Sequence, residues 1–250
     1  MADTPQETEQ KEMDFDLNDK GDVTAEVTTQ SQRFAIAPLI AEFAGTFLLV
    51  GIVIRLAQQG TLGALGIALF LSILIVIFGG ISGAHLNPAI TLAQFFNRKM
   101  DGGKTVLYII AQVLGALLAL AALYALYKYG VGNKVSFIHV TVPKGKIIFS
   151  LLAEMFGSFI FGIGVGHAIY ATDKPMLETG LSVGFGLFGG LMIGGSTTAL
   201  NPAVATAIGA FSTVNKLLPD ILVYFVGTTV GMTLGVTAYR FLREMHSADK

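Results

Sequence analysis

The chain of 250 residues is 53% hydrophobic and only 13% charged, where soluble domains carry about 25% charged residues, and its mean hydropathy is +0.67. These values exclude most soluble architectures and put most of the chain in a lipid bilayer. Cysteine is absent, which removes disulfides, thiolate metal sites and a cysteine nucleophile. The net charge of −1 gives nucleic acid no basic footprint. Tryptophan is absent too, so interfacial anchoring falls to Tyr, Lys and Arg.

The near-zero charge hides an asymmetry. Residues 1–30 hold nine acidic residues and two basic ones, −7 in all, so the remainder carries +6. Few apolar residues interrupt this stretch, and residues 1–33 are expected to be a disordered, acidic, cytoplasmic tail. It is the reverse of a secretory signal, which begins basic and turns apolar. A solvated tail and a regulatory, partner-binding tail both fit.

The membrane-embedded region is expected over 34–243, with a short C-terminal tail at 244–250. Apolar runs near 36–57, 63–81, 105–127, 147–170, 178–195 and 218–240 are each long enough to cross about 30 Å of hydrocarbon at 1.5 Å per residue. Two further apolar stretches, 87–97 and 201–212, are too short to span, and each opens on Asn-Pro. Proline suits the first turn of a helix, where its missing N–H costs nothing. Both stretches therefore read as short helices that begin at a proline and stop partway through the membrane. The connections at 58–62, 98–104, 128–146, 171–177 and 213–217 are short. An even number of spans puts both termini on one side, which then owns ten basic residues against six and is assigned to the cytoplasm.

An internal repeat organises these elements. Ala41-Glu42-Phe43-Ala44-Gly45-Thr46-Phe47 recurs as Ala153-Glu154-Met155-Phe156-Gly157-Ser158-Phe159, an offset of 112. Leu86-Asn87-Pro88-Ala89 recurs as Leu200-Asn201-Pro202-Ala203, an offset of 114. The halves, about 36–127 and 147–240, hold three spans each. An odd number of crossings makes the second half enter from the opposite face, so the repeats are inverted about an axis in the membrane plane. The two Asn-Pro-Ala helices then meet near the midplane, N-terminus to N-terminus.

Non-helical backbone at membrane depth is tolerated only where protein buries it or a wet cavity receives it. One Asn-Pro-Ala reads as an ordinary helix cap. Two, at matching places in a duplicated apolar chain, point to a central polar path toward which Asn87 and Asn201 present amide donors. Glu42 and Glu154 are carboxylates within spans and need partners. Their equivalent positions suit them to brace the two re-entrant loops by accepting backbone N–H groups, with Thr46 and Ser158 assisting. Proton or cation coupling is the alternative. His85 is a candidate gate or a structural histidine, and both readings stand. His167 lies among glycines and reads as a packing residue. Gly227, Gly231 and Gly235, like Gly180 and Gly184, recur every four residues and let helices approach closely. No His/Asp/Glu cluster has metal-ligand spacing and no nucleophile has a base, so neither a cofactor nor an enzyme is expected.

Ser82-Gly83-Ala84-His85-Leu86-Asn87-Pro88-Ala89-Ile90-Thr91, the second Asn-Pro-Ala and the two Ala-Glu-x-x-Gly-Thr/Ser-Phe openings resemble the aquaporin, or major intrinsic protein, family over about residues 36–240. The resemblance implies an all-α membrane protein, a right-handed bundle of six transmembrane helices plus two re-entrant half-helices. It also implies one pore per protomer, a homotetramer, and passive passage of water or small uncharged solutes such as glycerol, urea, ammonia or hydrogen peroxide. The family's narrow filter falls 20 residues before the first Asn, and 12 before, three before and three after the second. Those positions are Ile67, Gly189, Thr198 and Val204. The family usually has Arg where Val204 stands and an aromatic residue where Ile67 stands, so a wider, more apolar filter with no fixed charge is expected. Two other classes fit the same organisation: a secondary transporter with broken helices, and a structural membrane protein whose pore is closed. With no cysteine in the chain, mercurial reagents have no thiol to modify. Swelling of proteoliposomes is expected to be indifferent to mercuric chloride, and inhibition reversed by a thiol reductant would contradict this.

Overall fold

The computed structural model describes residues 9–17, 23–31, 36–131, 142–171, 174–195, 198–209, 220 and 222–248. They fall into two units, Met1–Ile36 and Ala37–Lys250.

The first unit covers the stretch expected to be an acidic tail. Strands β1 (Glu9–Leu17) and β2 (Val23–Ser31) form an antiparallel hairpin. Its register pairs Met13 with Val27, Phe15 with Ala25 and Leu17 with Val23. These residues alternate with Glu12, Asp14 and Asp16 on one strand and with Thr24 and Glu26 on the other, which is the period of two that defines a strand. Charge counting hides that period. A two-stranded hairpin by itself is at most marginally stable in water.

The second unit is helical. Its elements are α1 (Ile36–Leu56), α2 (Gly60–Ser82), α3 (Pro88–Phe96), α4 (Gly102–Leu126), α5 (Ile147–Tyr170), α6 (Met176–Gly194), α7 (Pro202–Gly209) and α8 (Thr228–Ala248). One π-helical turn, Tyr127–Val131, extends α4, and another, Leu222–Gly227, leads into α8. Five helices, α1, α2, α4 with its extension, α5 and α6, are long and apolar enough to cross a membrane. The sixth expected span is α8 with the π-helical segment before it. It runs beyond the expected residue 240 into the charged sequence Arg240–Glu244. Residues 210–212 of the second short helix, the connection at 213–217 and most of 128–146 lie outside the described residues.

The two short helices interlock the repeats. The first-half helix α3 packs on α8, the last span of the second half, as well as on α4, while α7 packs on α4, the last span of the first half. The second spans of each half, α2 and α6, lie side by side, and α5 packs on both α6 and α8. Glycine makes these approaches close enough. A methyl group at Gly115 of α4 would sit 2.3 Å from the Phe43 carbonyl oxygen of α1. At Gly231 and Gly235 of α8 it would sit 2.2 and 2.1 Å from the Met155 and Phe159 carbonyls of α5. Phe43 and Met155 are repeat equivalents, so the same helix-to-helix contact is made twice. Gly180 and Gly184 of α6 rest in the same way on Ser72 and Ala68 of α2. In each case a backbone carbonyl stands in the way, joined at Gly184 by the Ser72 hydroxyl, and backbone cannot move aside as a side chain can.

This gives a test of the packing. Gly235→Val is expected to destabilise the protein by about 3 kcal/mol, the upper end of overpacking costs. Gly51 of α1 has nothing within 4 Å of an added carbon. Gly51→Ala should be neutral or stabilising by up to about 1 kcal/mol through helix propensity. Thermal unfolding in detergent reads both, and equal effects would contradict the packing assigned to α8.

Candidate functional site

Each short helix is built the same way. Pro88 and Pro202 occupy its first position, and the preceding Asn caps it. The Asn87 side-chain oxygen accepts from the Ala89 N–H at 2.9 Å, and that of Asn201 from the Ala203 N–H at 2.9 Å. Capping turns each amide so that its NH2 points away from its own helix. Asn87 Nδ2 donates to the Leu200 carbonyl at 2.9 Å, and Asn201 Nδ2 donates to the Leu86 carbonyl at 2.9 Å. Each repeat thus holds the turn of the other. Both asparagines are nearly buried, at 2% and 4% exposure.

The carbonyls can be so aimed because Leu86 and Leu200 adopt left-handed backbone, with φ of 49° and 51°. That conformation costs a non-glycine residue of order 1 kcal/mol or more. Two features offset it. Each leucine side chain fills the space left by a glycine one turn along the helix behind it: carbon added at Gly45 would meet Leu86, and at Gly157 would meet Leu200. Each leucine N–H, turned inward by the same torsion, finds a carboxylate. Glu42 accepts from Leu86 N at 2.7 Å and His85 N at 2.9 Å, and also from Ser82 Oγ at 2.6 Å and Gln112 Nε2 at 2.8 Å. Glu154 accepts from Ala199 N at 2.5 Å and Leu200 N at 3.0 Å. Both glutamates are fully buried, and neither lines the central cavity. Thr46 and Ser158 do not assist them. Their hydroxyls are buried with no hydrogen-bond partner among the described residues.

Gln112 belongs to this framework and was not among the expected residues, although a lone amide in the apolar sequence of α4 marks it. Its amide also donates to Thr91 Oγ1 at 3.0 Å. Thr91 Oγ1 in turn donates its one hydrogen to the Asn87 carbonyl at 3.1 Å, so the His85 Nδ1 found 3.1 Å away must be the donor to it. His85 Nε2 then accepts from the Gln94 amide at 2.7 Å. The network therefore selects the neutral Nδ1–H form of His85. His167 lies elsewhere, edge-on to Tyr239 and 3.7 Å from the Glu178 carboxylate. Among the described residues no cluster could hold a metal ion.

A cavity of about 400 Å³ opens from the end of the bundle holding the α1–α2 connection and reaches both asparagines. Of the positions expected at the filter, Ile67, Thr198 and Val204 line it, and His85 borders it. Gly189 does not. A methyl group there would point at Ile160 of α5, 3.2 Å away. The wall from α6 is instead Leu187 and Leu191, one helical turn apart on the same face. Counting back from Asn201 misses them because the count passes through a non-helical connection, with Gly195 at φ 78°, where helix geometry sets no register. Phe161 of α5 completes this apolar surface.

The two carboxylates differ in what they hold. Glu42→Gln turns one acceptor oxygen into a donor facing two donors, while Glu154→Gln does so facing one described donor. Each buried clash of this kind costs about 1–3 kcal/mol. Glu42→Gln should therefore lower the detergent melting temperature about twice as far as Glu154→Gln. A larger effect at Glu154 would contradict the donor counts.

The family described as Major intrinsic protein matches residues 28–239. A glycerol uptake facilitator-like protein of Lactiplantibacillus plantarum is 31% identical over 210 residues, covering 81% of this chain and 96% of the relative. Aquaporin AqpM of Methanothermobacter marburgensis is 30% identical, with 81% and 96% covered. Aquaporin NIP1-1 of Zea mays is 29% identical, with 83% and 75% covered. The X-ray structure of the aquaglyceroporin from Plasmodium falciparum superposes with a TM-score of 0.65 at 23% identity, covering 82% of this chain and 94% of that one, a likeness of fold. Motif, inverted architecture and family match coincide, and the chain belongs to the major intrinsic protein family, as a multi-pass integral membrane channel and not an enzyme.

Proposed function

We propose that the chain is a passive channel in which water and small uncharged solutes pass in single file between Asn87 and Asn201. The observation that carries this reading is the reciprocal pair of bonds from each asparagine to the leucine carbonyl of the other repeat. An amide NH2 has two hydrogens. One is committed to the carbonyl, which leaves one from each asparagine for the cavity that both line. A solute oxygen between them accepts from both, and a water molecule held so turns its own hydrogens outward, which breaks a one-way proton wire. The two half-helix N-termini add roughly +0.5 of a charge each at the same level, which disfavours cations. The relatives named as aquaporins and as a glycerol uptake facilitator support the same class.

The constriction is where this channel departs from a strict water pore. We read Ile67, Leu187, Leu191, Thr198 and Val204 as its wall. Val204 supplies neither the donors nor the charge that Arg would, and Thr198 contributes a hydroxyl that is itself bonded to the Gly195 carbonyl at 2.8 Å. Water there gives up hydrogen bonds with little return, whereas a neutral solute with apolar surface loses less. Modest water flux with passage of glycerol, urea, ammonia or hydrogen peroxide follows. A transporter would need a coupling group free to titrate in the path; Glu42 and Glu154 are both turned into the loops, and His85, at the cavity border, has both ring nitrogens engaged by Thr91 and Gln94. In this reading both termini face the cytoplasm, as the asymmetry of basic residues implies, and the assembly is a homotetramer, as the family resemblance implies.

Stopped-flow swelling of proteoliposomes tests the constriction. Val204→Arg is expected to cut glycerol and urea permeability about tenfold, equivalent to about 1.4 kcal/mol, and water permeability by much less. A wild-type protein that passes water quickly and excludes all four solutes would overturn the assignment of the wall.

A further inference from the structure

A second cavity, of about 700 Å³, lies away from the pore at the connection between α3 and α4, lined by Phe95, Phe96, Arg98, Lys99, Asp101 and Lys104 with Met100. Its charge is not balanced from within. The one carboxylate, Asp101, caps α4 by accepting from the Lys104 N–H at 2.8 Å. No ion pair among the described residues involves Arg98, Lys99 or Lys104. The lysine ammonium groups lie over aromatic rings, Lys99 over Tyr170 at 5.0 Å and Lys104 over Tyr108 at 5.3 Å, contacts that leave their positive charge uncancelled.

The position of Arg98 needs a reason. It ends α3 in left-handed backbone, with φ 58°. Its N–H bonds the Phe95 carbonyl, and the next N–H, of Lys99, bonds the Gln94 carbonyl. This is the residue after a helix end at which glycine is favoured, because a side chain there is strained. An arginine held in that place brings a planar, permanently charged donor to the cavity. The depth is set by the neighbours. Lys104 is in the first turn of α4, whose stretch Gly102–Gly130 is long and apolar enough to cross a membrane, and Phe95 and Phe96 are 40% and 57% exposed beside it. Cations and exposed aromatic rings therefore meet where headgroups give way to acyl chains.

We propose that this cavity binds an anionic phospholipid of the adjacent leaflet. Arg98 and Lys104 take the headgroup phosphate, the first as a fork of donors and the second as a point charge. Phe95 and Phe96 lie against the start of the acyl chains. A soluble phosphate satisfies the cations but not the two rings, and a zwitterionic lipid satisfies the rings but carries a cation of its own.

Native mass spectrometry of the full-length protein in detergent, titrated with phosphatidylglycerol or phosphatidylcholine, tests this. The wild type should retain phosphatidylglycerol preferentially. Arg98→Gly with Lys104→Gln should lower its affinity by roughly 25-fold, about a fivefold loss for each cation, and leave phosphatidylcholine unchanged. Because glycine suits the left-handed position, that variant should melt no lower than the wild type, so loss of binding cannot be assigned to unfolding. Removing two cations from the other end of the bundle, with Arg55→Gln and Lys128→Gln, should leave the preference intact. Equal retention of both lipids, the same loss in the Arg55/Lys128 variant, or displacement of lipid by inorganic phosphate at equal concentration would overturn the proposal. So would an unchanged preference in the Arg98/Lys104 variant combined with dispersal of the oligomer by Phe96→Ser, which would give the patch to a second copy of the chain.

Discussion

A peptide chain that leaves helical geometry inside a bilayer has no water to satisfy its N–H and C=O groups, and each unpaired group costs several kcal/mol. The structure meets this constraint twice, and most of what is distinctive in it follows from how. The turns at 83–87 and 198–201 are each held by a buried glutamate that takes their N–H groups and by an asparagine of the opposite repeat that takes a leucine carbonyl. Neither turn is complete within its own half. The inverted repeat is therefore more than a record of duplication, because each half supplies the acceptor or donor that the other lacks. The left-handed leucines, the glycines behind them and the cross-packing of α3 and α7 all serve that exchange.

The framework of the channel was legible in the sequence for a physical reason. Apolar run length, Asn-Pro starts and carboxylates at equivalent positions are local signals whose meaning does not depend on distant contacts. The ends of α1, α5 and the first half-helix, the start of the second, and the turning of Glu42 and Glu154 toward the loops, come from such signals. What was not legible depends on rotation or on masking. Gly189 was reached by counting through a turn, and the rotation of α6 presents Leu187 and Leu191 to the cavity instead. Thr46 and Ser158 have the right spacing from the glutamates but no hydrogen-bond partner among the described residues. Gln112 stands out in the apolar sequence of α4, but its partners Glu42 and Thr91 lie on other elements, so its role depends on the fold. The period of two in strands β1 and β2 is overlaid by five acidic residues, Glu9, Glu12, Asp14, Asp16 and Glu26, that dominate a compositional reading.

The two halves are not equal, and the inequality is informative. Glu42 gathers Ser82, His85, Leu86 and Gln112, and through Gln112 and Thr91 the network extends to His85 and Gln94. This makes the first turn a hydrogen-bonded unit from the carboxylate to the end of α3. In the second half the framework described is Glu154 with two backbone donors, and the apolar wall of the cavity lies on that side of the asparagines. In this account the first turn provides rigidity, while α6, the second turn and Ile67 of α2 set what passes. His85 then acts as a fixed strut, its tautomer chosen by its neighbours.

The central claim is passive movement of neutral solutes through a path that neither Glu42 nor Glu154 lines. Initial rates of glycerol influx into proteoliposomes, measured over a wide range of gradients and with or without an imposed pH gradient, test it most directly. The account predicts rates proportional to the glycerol gradient, without saturation, and unchanged by the pH gradient. Rates that saturate and rise when protons are supplied on the same side would contradict it, and would turn Glu42 or Glu154 from a brace into a coupling group.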